Sequence, residues 1–205
     1  MTKRSSVLAV ALLAGVAVPA AAEARIVDLH LAGNAGGMYG WGTTTNTPDF
    51  FNQAAGPGFG FAAGLKLLVF AFDVDFMQIV KDGGLDGTLI QLMAGIDVDL
   101  PAGHAKLPSG QSMNVIRIGM QAGGALGTGA PVSLSITNDQ LADKGFVSRL
   151  RVGYDFYLND FMSVGATADF GWHYFLGGQA INNTADHSAG YHLIGLANFT
   201  FHLGA

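Results

Sequence analysis

Residues 23–205 predict an all-β fold, one eight-stranded antiparallel up-and-down transmembrane β-barrel. Three observations carry that expectation. Eight segments alternate apolar and polar residues with a period of two, the repeat of an extended strand with one apolar face. Only 12% of residues are charged, against about 25% in soluble domains, and mean hydropathy is +0.36; beyond residue 22, however, no apolar run reaches the ~18 residues of a spanning helix. Aromatic residues gather near the ends of the alternating segments while aliphatic ones hold the middle, as on a surface that meets lipid.

The chain opens with Met1-Thr2-Lys3-Arg4, an apolar run from Val7 to Val18 and the small-residue exit Ala20-Ala21-Ala22. A basic head, a short apolar core and a small-residue cleavage site read as a secretory signal peptide over residues 1–22, leaving residues 23–205 as the barrel domain. The run is shorter than the ~20 residues an uncleaved membrane helix would need. Removing Lys3 and Arg4 takes the formal charge from −5 to −7, the wrong sign for a nucleic-acid surface. The chain has no cysteine, in keeping with an exported protein that does without disulfides.

The first strand, about residues 26–41, points Val27, Leu29, Leu31, Tyr39 and Trp41 outward and Asp28, His30, Asn34 and Gly36 inward. Residues 42–58 form a polar loop broken by Pro and Gly. The second strand points Phe59, Phe61, Ala63, Leu65 and Leu67 outward, with Lys66 among its inward set. The apolar parity then switches from odd to even, because Phe70, Phe72, Val74 and Phe76 flank inward Asp73 and Asp75. A switch of parity demands a turn or bulge, so a tight turn is expected near residues 67–70. The third strand ends near Val80, and residues 81–87 read as a Gly- and Asp-rich loop.

The fourth strand points Ile90, Leu92, Ala94, Ile96, Val98 and Leu100 outward and Gln91, Met93, Asp97 and Asp99 inward. Residues 101–113 make a longer connection than its end of the barrel should have. The fifth strand points Ile116, Ile118, Met120, Ala122 and Leu126 outward and Arg117, Gly119 and Gln121 inward. Residues 128–144 are another polar loop. Strands six and seven form a hairpin over residues 146–175, with Arg149, Arg151, Asp155 and Asp169 on the inward face. A three-residue loop at Leu158-Asn159-Asp160 keeps both faces in phase; it would set Phe156 beside Met162, Phe146 beside Trp172 and Arg149 opposite Asp169. Residues 176–190 are the last loop, and the eighth strand, residues 191–203, points Phe199, Phe201 and Leu203 outward and His192, Asn198, Thr200 and His202 inward.

The strand order orients the aromatics. Tyr39, Trp41, Phe59, Phe61, Phe146, Trp172, Tyr174 and Tyr191 fall at one end, and Phe70, Phe72, Tyr154, Phe156, Phe199 and Phe201 at the other, as two girdles. With both termini periplasmic, the longer loops face outside the cell.

This pattern resembles the small eight-stranded outer-membrane barrels of Gram-negative bacteria, the OmpA-, OmpX- and OmpW-like group. The resemblance covers nearly all of residues 23–205 and rests on pattern, with no diagnostic motif. It implies insertion in outer-membrane lipid, delivery by the outer-membrane assembly machinery and a monomer without cofactor. Members usually end on an aromatic residue; here Phe201 is followed by His202-Leu203-Gly204-Ala205.

Inward charges are Asp28, Lys66, Asp73, Asp75, Asp97, Asp99, Arg117, Arg149, Arg151, Asp155 and Asp169. An eight-stranded barrel has room for little more than its own side chains, and buried charges must be paired, so these residues read as a salt-bridged plug rather than an ion path. The expected role is then structural, or surface interaction through the outer loops with an undefined partner. A narrow channel for small or apolar solutes, lined by Met77, Met93, Val147, Ile194 and Leu196, is the alternative. His173 and His192, near Asp186, His187 and Ser188, give a third, lipid-modifying reading. It lacks a G-x-S-x-G nucleophile motif, and its histidines point away from lipid, so no catalytic residue is assigned. No spacing marks a metal site. If the orientation is right, cysteines introduced in residues 42–57, 81–87, 128–143 and 177–190 will label with an impermeant reagent on intact cells; labelling only after lysis would invert the barrel.

Overall fold

The computed structural model describes residues 26–42, 55–81, 84–128, 143–176 and 187–204. They form eight strands: β1 (Val27–Gly42), β2 (Gly56–Leu67), β3 (Phe70–Lys81), β4 (Gly84–Pro101), β5 (Asn114–Thr128), β6 (Asp143–Asn159), β7 (Met162–Leu176) and β8 (His187–Gly204). Each pairs antiparallel with its sequence neighbours, and β8 pairs with β1 to close the barrel. No open edge is left, so every strand has a hydrogen-bonding partner on both sides. That is the condition a β-structure must meet to lie in lipid.

Alternation sorts the side chains. Leu29, Leu31, Leu92, Met120, Leu150 and Val152 are each more than half exposed on the exterior. Asp73, Met93, Gln121, Arg149 and Asp169, on the other parity, are almost fully buried in the lumen. The apolar residues thus cover the outside of the protein and the charges fill its inside, the reverse of a soluble domain. An apolar belt of this extent is stable only against lipid, and the barrel is a transmembrane one. One local departure occurs in β3, where the register with β4 shifts between Ile79 and Val80. Gln78 and Ile79 are both buried there, as a bulge allows.

The strands outrun several expected loop boundaries. Gly84–Gly87 belong to β4 rather than to a loop, because their backbones continue the ladder with β3. In the same way β2 starts at Gly56, β6 at Asp143 and β8 at His187. The expected signal peptide, the rest of the long loops and Asp186 of the third reading fall outside the described residues.

The β6–β7 register differs from the expected one by two residues. Phe156 pairs with Val164, Phe146 with Tyr174, Arg149 with Gly171, and it is Arg151 that lies opposite Asp169. The cause is the turn. Asn159 pairs with Met162 across a register shift, and its Oδ1 accepts a 2.8 Å hydrogen bond from the Phe161 amide, an Asx turn that replaces the three-residue loop. A slip of two preserves parity, so no residue changes face.

The β2–β3 connection is the expected tight turn, Leu68-Val69, with Leu67 paired to Phe70. Both neighbouring strands support it: Leu68 N donates to Ile26 O at 2.8 Å, and Asp97 N to Val69 O at 2.7 Å. Leu68 adopts φ 57°, a left-handed conformation that a Leu side chain disfavours and Asn tolerates. Leu68 is exposed, so Leu68→Asn will raise the free energy of reversible unfolding from lipid by up to ~1 kcal/mol. A clear loss would mean that the leucine's lipid contact outweighs the backbone term.

Candidate functional site: the filled lumen

The lumen is filled in layers, each built from inward positions of several strands. The middle layer is a polar crossbar. Arg149 Nε donates to Gln121 Oε1 at 2.8 Å, and its Nη1 donates to Asp75 Oδ2 at 2.6 Å and lies 3.4 Å from Asp169 Oδ2. Arg151 grips Asp169 with two parallel bonds, Nε to Oδ1 at 2.8 Å and Nη2 to Oδ2 at 2.9 Å. Asp73 gathers the rest. Gln121 Nε2 donates to it at 2.5 Å, Arg149 Nη2 lies at 3.4 Å and Arg151 Nη1 at 3.3 Å, and His30 Nε2 at 3.1 Å. In the strand order Asp73 on β3 and Asp169 on β7 are four strands apart, on opposite walls. The two arginines of β6 therefore tie one side of the barrel to the other.

A second charged layer lies nearer the chain termini. Lys66 Nζ reaches Asp99 at 2.7 Å and Asp97 at 3.7 Å. Arg117 Nη2 reaches Asp155 at 2.6 Å, and its Nε stands 3.9 Å from Asp97 and 3.8 Å from Asp99. With Asp28, described below, every expected inward charge has a located partner. The short Arg117–Asp155 bond and the two-pronged Arg151–Asp169 grip are of the strong, charge-assisted kind, and burial makes these pairs mutually dependent.

Away from the termini the filling is apolar. Met38, Met77, Ile79, Leu89, Met93, Ala125, Val147, Phe175 and Ile194 pack together, with Leu196 against them. Four residues of the apolar-channel reading, Met77, Met93, Val147 and Ile194, belong to this cluster and the fifth, Leu196, packs against it. His173 and His192 lie beside it with ring centroids 5.7 Å apart, both fully buried, so neither reaches the lipid-facing exterior.

At the terminal end the structure assembles a group that the sequence reading missed. Ser163 Oγ lies 2.9 Å from His202 Nε2, and His202 Nδ1 lies 2.9 Å from Asp28 Oδ2. A neutral His202 donating to Asp28 accepts from the serine, the order of a nucleophile–base–acid relay. Ser163 and His202 have no exposed surface. The amides around them are held in the β6–β7 and β7–β8 ladders, so neither substrate access nor free oxyanion donors are at hand. The group instead stitches β7, β8 and β1 across the closing seam. The signal was available: Asp28 and His202 are both inward, and barrel closure must bring the first and last strands together. Among the described residues no cluster of His, Cys, Asp or Glu is arranged to hold a metal ion.

On the exterior, Trp41 packs at a tilt against Tyr39, Phe170 and Tyr191, at centroid distances of 5.8, 6.2 and 6.0 Å. Phe146, Trp172 and Tyr174 continue this end, with centroids 6.4 and 6.2 Å apart. Phe59 and Phe61 are half exposed on β2, and Phe61 stacks on Phe76 at 4.9 Å. At the terminal end Phe199 and Phe201 meet edge to face at 5.0 Å. Phe70, Phe72 and Tyr154 are about half exposed there, and Phe156 is partly so. Phe170 and Phe76 join these groups although the end-of-strand pattern did not single them out.

No protein-family model and no curated protein sequence matches the chain. Among solved structures it is similar to Neisserial surface protein A, NspA, with 12% identity and TM-score 0.46 over 83% of this chain and 95% of that one. It is similar to the N-terminal β-barrel domain of Pseudomonas aeruginosa OprF, with 14% identity and TM-score 0.44 over 85% and 97%. It is also similar to the outer membrane protein OprG of the same organism, with 8% identity and TM-score 0.45 over 88% and 98%. The fold assignment stands on the closed eight-strand ladder itself.

The crossbar makes a quantitative prediction. Arg151→Ala removes both hydrogen bonds that hold the buried Asp169 carboxylate, leaving it Arg149 at 3.4 Å, and will cost ~3–5 kcal/mol, while Arg151→Ala with Asp169→Ala will cost less than the sum of the single changes. Additive costs in reversible unfolding from lipid would mean that the pair is not coupled.

Proposed function

We propose that this chain is an outer-membrane protein, exported through its first 22 residues, that works as a monomer with its lumen closed to ions. Its role is then structural, or is exercised by the loops at the end away from the termini, which would face outside the cell. The observation that carries the reading is the crossbar from Asp73 to Asp169 through Arg149 and Arg151, each residue almost fully buried. An ion crossing the barrel would have to displace these bonds and strip its own hydration in a space already occupied by side chains. The apolar belt and paired girdles support residence in a lipid bilayer, and the basic-head, apolar-core leader supports export.

A second reading has one observation in its favour. A cavity beside the crossbar is lined by Met77, Leu89, Ile194 and Leu196 on its apolar side, and on its polar side by Asn34, Gln91 and the charges of Asp75, Arg149, Arg151 and Asp169. Gln91 Nε2 is buried with no hydrogen-bond partner among the described residues. Such a site suits a water or the polar head of a small apolar solute. Planar-bilayer recording separates the two readings. The closed barrel gives no resolved current steps as wild type, and Arg149→Ala with Arg151→Ala produces them. Regular steps in wild type, altered by Gln91→Leu or Met77→Ala, would establish the channel and end the closed-lumen reading.

A further inference from the structure

The β4–β5 connection, residues 102–113, is at the terminal end of the barrel, where Leu68-Val69 shows that two residues suffice. It is folded. Lys106 bridges Ser112, Leu107 N donates to Gln111 O at 2.8 Å, Gly110 N to Leu107 O at 2.9 Å and Met113 N to Ala105 O at 2.9 Å. Its flanking residues His104, Lys106 and Pro108 are exposed, yet Leu107 between them is buried. Leu107 packs with Val115 and Tyr157, with Met113 alongside. Val115 and Tyr157 are inward positions of β5 and β6, so the leucine is seated in the mouth of the lumen. Tyr157 in turn covers His202 with ring centroids 4.9 Å apart, and Ser163 is the cross-strand partner of Tyr157.

We infer that residues 102–113 are a hinged lid over the terminal mouth of the barrel, held shut by the Leu107 seat and by a latch. The latch is the hydrogen bond from Ser109 Oγ to Asp160 Oδ1, which joins this turn to the β6–β7 turn on the exposed surface. The hinge is at Gly103, with φ +117°, while Gly110, φ +90°, bends the tip. Both conformations favour glycine, and beyond Gly103 the Tyr157 N to Met113 O bond of 2.7 Å ties the lid's other end to the ladder. A small apolar seat and a water-exposed hydrogen bond are weak fastenings beside the strand ladders, so the lid opens without unfolding the barrel. Opening uncovers Tyr157 and, behind it, the Ser163–His202 pair.

The chain lacks cysteine, so Ser163→Cys places one thiol under the lid, beside an imidazole that favours the reactive thiolate. In folded protein in bilayers, a small charged methanethiosulfonate will label it slowly. Adding Leu107→Ser will speed labelling at least tenfold; Ser109→Ala with Asp160→Ala, which leaves the apolar seat intact, serves if Leu107→Ser does not fold. In a separate protein, a disulfide between Ser109→Cys and Asp160→Cys will slow hydrogen exchange of the Tyr157 amide at least tenfold, and reduction will restore it. Labelling rates within twofold of one another in barrels of native gel mobility, or exchange indifferent to the disulfide, would overturn the lid. Neither readout is conductance, so a conducting wild type would sink the closed-lumen reading and leave the lid standing.

Discussion

The interaction on which the structure depends is the burial of Asp73 among Gln121, Arg149, Arg151 and His30. Eight strands enclose a space too narrow for free water and too wide to leave empty. Once charges occupy that space they cannot be hydrated, so each must find donors or acceptors on other strands. Arginine suits the task, because its planar fork makes several directed bonds at once. Arg149 reaches Gln121, Asp75 and Asp73, and Arg151 takes both oxygens of Asp169. The barrel wall is made by backbone bonds between neighbours, while these side chains, like Lys66 with Asp97 and Asp99, connect strands that are not neighbours.

The layered filling has a mechanical consequence. Charged layers resist shear, because displacing one member strands another. The apolar layer of Met38, Met77, Met93 and their neighbours is more forgiving, since unbranched methionine side chains adapt to small shifts. The barrel is therefore rigid at the crossbar and more compliant on the side away from the termini. At the terminal mouth the Asp28–His202–Ser163 chain adds stiffness where closure of β8 on β1 must be secured.

The turns show how local chemistry acts at a distance. The Asx turn at Asn159 moves the β6–β7 pairing by two residues. That slip leaves every side chain on its own face, yet it exchanges the partner of Asp169 from Arg149 to Arg151 and frees Arg149 to span the lumen. Leu68 accepts an unfavourable backbone conformation because strands on both sides hold its turn. The 102–113 turn spends its extra length on covering the mouth rather than on joining the strands.

The sequence by itself determined which residues face in and which face out. Alternation is a local property with a period of two, and Leu150, Arg151 and Val152 take opposite faces whatever the rest of the chain does. It also placed the parity switch at Leu68-Val69 and the number of strands. It could not determine register, because slips of two residues satisfy the same alternation; Phe146 beside Trp172 and Phe146 beside Tyr174 are equally well patterned. Nor could it decide which charges meet. Asp73 and Asp169 are 96 positions apart in the chain, from the numbering of the sequence, and are bridged by Arg151 only through closure of the barrel and the stagger of its strands. The relay at Ser163 and the seat of Leu107 arose the same way: contacts across a lumen are set by global geometry, to which no local repeat is sensitive.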